Sequence, residues 1–451
     1  MLAVATILCT LCCLFVSTTE GKNWALLVAG SNTYDNYRHQ ADICHAYHVV
    51  RNHGIPEENI VVMMYDDIAY SRENPYQGNV INEPNGENLY PGVVIDYKKE
   101  EVNPEVFLAV LTGNSSGIRE LLGREGKVIV SGSDDHVFVN FADHGAPGLL
   151  AFPEDVLHAK PLEKAIKSMH KNKQFKKMVF YVEACESGSM FDGLLPEHIS
   201  VFVTTAANPD ESSYACYFDD ERQTYLGDVY SVNWMQDSDK EDLSEETLQK
   251  QFTITKQETN TSHVMEYGDK TISKMTVAEF QGNEKCDKCG RSPRPRHPLE
   301  DAVRSEKVKL AIREHKLRTA TLPYEKRAAA KELNALLDHY AKTDELFKGI
   351  VNALRHSQNA ADKTSLKFHE DDSYASVVHQ RKPITQWDCY QGAVDALMFA
   401  CPGLQLPQND YALRHLYMVV NLCEMGHPSL AVRTAIGAAS FDNSQFCDTV
   451  M

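Results

Sequence analysis

Apolar residues fall into two rhythms along the first part of this chain. Mainly apolar runs at 24–30, 60–65, 136–141, 178–182 and 199–205 are rich in β-branched and aromatic types. Their length and evenness fit strands buried on both faces. Between them the apolar positions spread to helical spacing, as in Ala41, Cys44, Ala46, Tyr47 and Val50, until Gly54-Ile55-Pro56 stops the pattern. Helices are predicted over 37–52, 105–111, 116–122 and 161–170, with an amphipathic one over 243–256. Strand, helix and strand in succession make a βαβ unit and hence a parallel sheet. Residues 149–152 read as a hairpin partner, and 214–217 and 226–232 as two more strands around an acidic loop. Residues 70–100 hold Asn, Pro, Gly and Tyr without a period, which predicts a long loop that shapes a site. The whole pattern predicts a three-layer α/β/α domain with a mainly parallel sheet over roughly 22–280.

The pattern changes near Cys286-Asp-Lys-Cys289-Gly-Arg-Ser-Pro-Arg-Pro-Arg-His-Pro298, which is basic and proline-rich. Beyond it helix formers dominate, as in Lys326-Arg-Ala-Ala-Ala-Lys-Glu-Leu, so an all-α unit is expected. The organisation is a signal peptide over 1–19, an α/β domain over 20–284, a linker over 285–330 and a helical domain over 331–451. The signal assignment rests on the apolar run 2–16, too short to span a bilayer, followed by Ser17-Thr-Thr-Glu-Gly21. No membrane anchor is expected.

Charge divides the same way. The net charge of -18 belongs to the first part: residues 21–290 carry 24 Lys+Arg against 43 Asp+Glu, and 291–451 carry 21 against 19. So acidic a surface excludes nucleic acid as a partner of the α/β domain, because phosphate contacts need a basic face. Cys9, Cys12 and Cys13 leave with the signal. The odd number that remains leaves at least one thiol unpaired in a secreted chain. Cys389, Cys401, Cys423 and Cys447 form two bridges, with three connectivities open. Cys286 and Cys289 suit a metal half-site, a redox pair or a local disulfide; without a second C-x-x-C or His pair nearby, no metal or other cofactor is expected. Asn114-Ser-Ser and Asn260-Thr-Ser are glycosylation acceptors where exposed.

Two of the buried strands end on reactive side chains. The run from His136 stops at Asp143-His144-Gly145, and the run from Met178 stops at Glu183-Ala-Cys185-Glu-Ser-Gly188. Open α/β sheets hold their ligands at the carboxyl ends of strands. Neighbouring strands ending in His and Cys would join a thiol to the base it needs as a nucleophile.

Those two strand ends resemble the legumain family of asparaginyl endopeptidases, caspase-like cysteine peptidases. The resemblance extends through Asn36-Tyr-Arg-His-Gln-Ala-Asp42, Thr204-Thr-Ala-Ala-Asn208, Glu211-Ser-Ser-Tyr-Ala-Cys216 and Tyr225–Trp234. Tyr411-Ala-Leu-Arg-His-Leu-Tyr417 and Asn421-Leu-Cys423 resemble its carboxyl-terminal prodomain. It implies Cys185 as nucleophile and His144 as general base and acid. The backbone N–H groups of Gly145 and Cys185 would form an oxyanion hole, with Asn36 supporting the histidine. It implies a pocket of Arg38, His39, Glu183, Ser212, Ser213 and Asp228 for the substrate side chain. A carboxamide offers one acceptor oxygen and two donor hydrogens, so a guanidinium and two carboxylates suit it. A substrate aspartate would meet those carboxylates as a like charge and enter only in acid. The resemblance also implies that the aspartate at Asp143 can cyclise to a succinimide.

The expected activity is cleavage after asparagine, and after aspartate at low pH, by a secretory-pathway zymogen of a lysosomal, endosomal or extracellular acidic compartment. Proteins with exposed Asn, the chain's own prodomain and cystatin-type inhibitors are the implied partners. Peptide ligation through the same thioester is the alternative activity. A dead homologue acting in binding, or a membrane-associated transamidase subunit, are rival readings that the intact His144 and Cys185 and the helical domain oppose. Latency is expected from Arg291, Arg294, Arg296, Arg304, Lys307, Lys309, Arg313, Lys316 and Arg318 lying on the acidic domain. Self-cleavage is expected after Asn283, Asp287 or Asp301.

Overall fold

The computed structural model describes residues 21–283, 299–360 and 374–449. The signal segment, the Cys286/Cys289 pair, Asp287, Arg291, Arg294 and Arg296 lie outside the described residues. In chain order the α/β part runs β1 (Asn23–Ala29), α1 (Tyr37–Asn52), β2 (Ile60–Met63), α2 (Pro104–Leu111), α3 (Ser115–Leu122) and β3 (His136–Ala142). Then come β4 (Gly145–Ala146), β5 (Leu149–Ala151), β6 (Val156–His158), α4 (Ala159–Lys171), β7 (Lys177–Glu183) and β8 (Val201–Thr205). It closes with β9 (Tyr214–Asp219), β10 (Thr224–Asp228), α5 (Val229–Ser238), α6 (Leu248–Glu258), β11 (Met265–Gly268) and α7 (Ala278–Gln281).

Six strands form the central sheet in the order β11-β8-β7-β3-β1-β2, all parallel but the antiparallel edge strand β11. Alternation along β1 supplies both faces. Trp24, Leu26 and Val28 pack with Phe107, Ile118, Leu162 and Ile166 of α2, α3 and α4. Ala25, Leu27 and Ala29 pack with Ile43, Tyr47 and Trp234 of α1 and α5. A strand covered on both sides needs apolar residues at every position, which is why these strands read as continuous runs. The chain leaves β1 towards β2 on one side and β3 on the other. That reversal opens the crevice in which such sheets hold ligands.

Several elements differ from expectation for local reasons. The run 226–232 is strand only to Asp228, where α5 begins; packing of Trp234 and Val232 overrides the strand preference of its valines. The helix expected over 243–256 starts at Leu248, because the Thr247 side chain accepts the Lys250 N–H and caps it. Residues 149–152 do make a hairpin strand, in the small antiparallel sheet β4-β5-β6.

The segment expected as linker is not a loop throughout. It contains β12 (Val303–Arg304), α8 (Val308–Thr319) and the start of α9 (Pro323–Ala360). The expected boundary at 331 therefore falls inside a helix opened by a proline at its first position. The helical part continues with α10 (Tyr374–His379), α11 (Trp387–Ala400), α12 (Asp410–Leu413), α13 (Leu416–Glu424), α14 (Ser429–Asp442) and α15 (Ser444–Cys447). Disulfides join Cys389 to Cys423 and Cys401 to Cys447, tying α11 to α13 and the residue just past α11 to α15. The helical core runs on into Ala146, Leu149, Ala151 and Val156 of the small sheet, so the helices sit directly on the α/β part. No described helix is long and apolar enough to cross a membrane.

Candidate active site

Register brings the two reactive strand ends together. β3 and β7 pair in parallel with Ala142 opposite Glu183, so His144 and Cys185 each lie two residues past the same rung. Gly145 follows, and a Cβ there would stand 2.2 Å from the Cys185 carbonyl oxygen. Only glycine lets these two backbones lie so close.

The imidazole of His144 is buried and held from both sides. Its Nε2 bonds Asn36 Oδ1 at 3.0 Å, and Asn36 Nδ2 donates to the Asn32 carbonyl at 2.9 Å. Its Nδ1 meets the carboxylate of Asp410, from α12 of the helical part. Burial lowers the pKa of His144, and Asp410 opposes it. The Cys185 thiol contacts Ser212 Oγ at 3.3 Å and Ser213 Oγ at 3.7 Å. Among the described residues no hydrogen bond joins thiol to imidazole. Burial, then Glu186 and Glu306, push the thiol pKa up to about 12, so the sulfur is protonated in this arrangement.

Near the thiol lies a cluster of buried polar side chains. Arg38, from α1, donates through Nε to Asp228 Oδ1 at 2.9 Å, while its Nη1 and Nη2, both buried, have no hydrogen-bond partner among the described residues. Glu183 accepts through Oε2 from Ser231 N (2.9 Å) and Oγ (3.1 Å), and its Oε1 is left over. His39 bonds Ser31 Oγ at 2.7 Å and lies 3.3 Å from Asp143 Oδ1 and 3.6 Å from Asp228 Oδ2. Guanidinium donors and carboxylate oxygens that no other group uses are costly to bury, which points to a ligand that uses them. Burial pushes the Asp143 and Glu183 carboxyls well above the ordinary range. His39, Asp143 and His144 offer three donor atoms within 4.8 Å, but Ser31 and Asn36 already engage the two imidazoles.

All the predicted catalytic and pocket residues converge here: Asn36, Arg38, His39, His144, Gly145, Cys185, Glu183, Ser212, Ser213 and Asp228. Asn114 and Asn260 lie elsewhere and are exposed, and Asn114 also caps α3 by accepting the Gly117 N–H at 2.9 Å.

The sequence did not point to the groups that close the site. β12 pairs antiparallel with β9, Val303 opposite Ala215 and Arg304 opposite Tyr214. Ser305 N donates to the Ser213 carbonyl at 3.0 Å. The Glu306 carboxylate accepts from Ser212 Oγ at 2.7 Å and from Arg304 Nε at 2.7 Å, and it also meets Arg414. Asn36 Nδ2 reaches Gln408 Oε1 at 3.4 Å, and Gln408 Nε2 donates to the Pro153 carbonyl at 3.0 Å. Glu186, in the left-handed region at φ 49°, is buried with its pKa raised to about 8, chiefly by burial. Its left-handed turn directly after Cys185 is invisible in the residue types. The expected cationic cover is only partly present. Arg313 makes a two-point ion pair with Asp35 (2.8 and 2.7 Å), but Arg304 and Lys316 pair with Glu306 and Glu332 of their own part.

Comparison with known proteins supplies the family. The profile described as the Peptidase C13 family matches residues 23–283. The chain is 48% identical to "Legumain" of Homo sapiens over 90% of each chain. It is 47% identical to "Hemoglobinase" of Schistosoma japonicum, again over 90% of each. It is 38% identical to "Vacuolar-processing enzyme delta-isozyme" of Arabidopsis thaliana, over 91% of this chain and 88% of that one.

Proposed function

Because the chain belongs to the peptidase C13 family and is a cysteine endopeptidase, we propose that it cleaves peptide bonds after asparagine, with Cys185 as nucleophile. The observation that carries the specificity is the set of unused groups near the thiol, Arg38 Nη1 and Nη2 and Glu183 Oε1, with the Asp228 carboxylate beside them. The guanidinium donates to the carboxamide oxygen and the carboxylates accept from its nitrogen. His144 takes the thiol proton through Nδ1 while Asn36 holds Nε2. Cys185 Sγ bonds to the substrate carbonyl carbon, and the N–H groups of Gly145 and Cys185 receive the developing oxyanion. His144 returns the proton to the leaving amine, leaving a thioester. Water then attacks, again with His144 as base, and frees the enzyme. A peptide amine in place of water would give ligation from the same thioester.

The chain is a zymogen on this reading. Asp410 occupies the His144 nitrogen that must face the thiol, and β12 with Ser305 and Glu306 fills the approach to Cys185. Acid releases the helical prodomain, and self-cleavage follows in the connecting segment. Asn283 is exposed, whereas the Asp301 carboxylate is held by the Tyr217 and Phe218 amides, which favours Asn283 of these two. The signal segment and exposed Asn114 and Asn260 suit passage through the secretory pathway to an acidic compartment.

Full-length protein preincubated in acid should release fluorophore from an Asn-containing peptide, and Cys185→Ala should lose at least about 10⁴-fold in kcat. Retained turnover in that variant would sink the assignment. Mass spectrometry with an added peptide amine separates hydrolysis from ligation.

A further inference from the structure

Behind the pocket lies a carboxyl group that the mechanism above does not use. Asp42 sits one turn after Arg38 on α1 and is fully buried. Asn82, from the long loop after β2, donates to Asp42 Oδ1 at 2.7 Å and to the Leu226 carbonyl at 2.9 Å. Its amide packs so near Gly227 that a Cβ there would stand 2.8 Å from Nδ2. Asn82 thus fixes which way Asp42 faces. Asp42 Oδ2 has no donor among the described residues, and neither has Asp228 Oδ2. Arg38, one turn before Asp42, bonds Asp228, and Asn82 ties Asp42 to Leu226, two residues before Asp228 on β10, so the two carboxyls are neighbours.

Two buried carboxylates cannot face each other both ionised, and one proton between them resolves the clash. Asn82 donates to Oδ1, so Oδ1 is the acceptor oxygen and Oδ2 carries the proton. On the other side Arg38 donates to Asp228, so Asp228 is the partner better able to hold the charge. Burial and then the Asp228 charge raise the Asp42 pKa well above its ordinary value. The groups facing Asp228 are Arg38, His39 and Asp42 from α1, Glu183 from β7, Asp143 and His144 after β3 and Cys216 on β9. Of these, Asp42 is the one that the Asn82 side chain holds.

We propose that Asp42 is a positioning residue for substrate selection: as a neutral carboxylic acid it donates a hydrogen bond to Asp228 and keeps that carboxylate charged behind the substrate pocket. The proposal rests on the asparagine-specific reading above and adds a residue to it. An ionised Asp228 accepts from a carboxamide and repels a substrate carboxylate. Without the Asp42 donor, Asp228 takes up a proton at higher pH, and the repulsion fades sooner as the pH falls.

The test uses two nearly isosteric substitutions in the full chain, processed in acid and assayed on matched Asn and Asp peptides across pH. Asp42→Asn keeps an N–H donor towards Asp228 and should hold the Asn:Asp ratio of kcat/KM near the parent's. Asp42→Leu removes the donor; the ratio near neutrality should fall about tenfold, the size of losing one hydrogen bond to a charged acceptor. Its pH profile for the Asp peptide should move upward. An unchanged ratio in Asp42→Leu, or Asp42→Asn falling as far as Asp42→Leu, overturns the proposal. Infrared spectra of the parent and Asp42→Asn, compared at one pH, give a readout free of activity. The parent should show a protonated-carboxyl band that Asp42→Asn lacks, and absence of that band from the parent also overturns it. Failure of the parent to cut either peptide would sink the specificity reading, while the infrared band would still answer for Asp42.

Discussion

Single atoms set the tolerance of the site. Gly145 has no room for a Cβ, since the nearest atom would be the Cys185 carbonyl oxygen at 2.2 Å. Both are backbone positions at strand ends, so neither yields by a rotamer change. Gly145→Ala should therefore push the strand ends apart, and a displacement of about 1 Å costs roughly 100-fold in kcat. Steady-state kinetics alongside a melting curve checks this: kcat should fall far more than thermal stability explains. The strand-end His and Cys were legible in the sequence because parallel pairing brings equivalent ends level. Asp42, Glu186 and Asp410 were not, because a carboxyl's partner is set by folding and leaves no mark on its neighbours in sequence.

At the scale of elements, β12 is the piece that joins the helical part to the site. Its hydrogen bonds to β9 continue in Ser305 N–H to the Ser213 carbonyl. Arg304 is extended at φ -56°, ψ 135°, a conformation that a following proline accepts. Ser305→Pro should thus delete two hydrogen bonds to Ser213, one from the backbone N–H and one from the hydroxyl. A typical net worth of about 1 kcal/mol each predicts roughly 30-fold more turnover by intact protein at neutral pH. An Asn-peptide assay with gel analysis of intact chain measures it. The disulfides act on a different element. Cys389 and Cys423 close a loop of 34 residues' separation, so Cys389→Ser with Cys423→Ser should cost the helical part roughly 3 to 4 kcal/mol, read from denaturant melts.

For the whole molecule the question is what acid does to the cover. The His315–Asp220 contact holds little of it, its Asp side chain being 81% exposed, while Arg313 and Asp35 form a half-buried two-point pair. The helical core shared with Leu149 and Val156 holds more, and it does not titrate. The pH response must come from the buried groups at the contact. Burial lowers the His144 pKa in the closed form, so the closed form binds fewer protons than an open one and loses stability as the pH falls below the ordinary 6.5. Asp410 has its pKa lowered by His144 and Lys309 against the effect of burial, so its share is lost as the pH falls through that depressed value. Glu186 works the other way: with its pKa raised to about 8, the closed form holds an extra proton and gains stability as the pH falls towards its ordinary 4.5. On the proposed reading, His144 therefore favours opening near pH 6 while Glu186 resists, and Asp410 adds to the opening only in stronger acid. Uncut Cys185→Ala protein should show weaker amide protection in β12, relative to the unstructured exchange rate at the same pH, below about pH 6 than at neutrality. Replacing Glu186 by Gln should leave that acid response standing. Equal protection at both pH values would remove the pH-driven opening.

Residue order alone determined the layered α/β architecture, because a strand covered on both faces must be apolar throughout and a covering helix must repeat near 3.6 residues. It also determined that a thiol and an imidazole would stand on neighbouring strand ends, since both end buried strands and parallel strands end on the same side. Tertiary structure decided the rest. It chose one disulfide pattern from three by the distances between helices, and it ended the strand at Asp228. It set Asp42 against Asp228 and brought Asp410 onto His144 from far along the chain. These are contacts between charged or polar groups in space, and their strength depends on burial and distance, which no periodicity along a chain records.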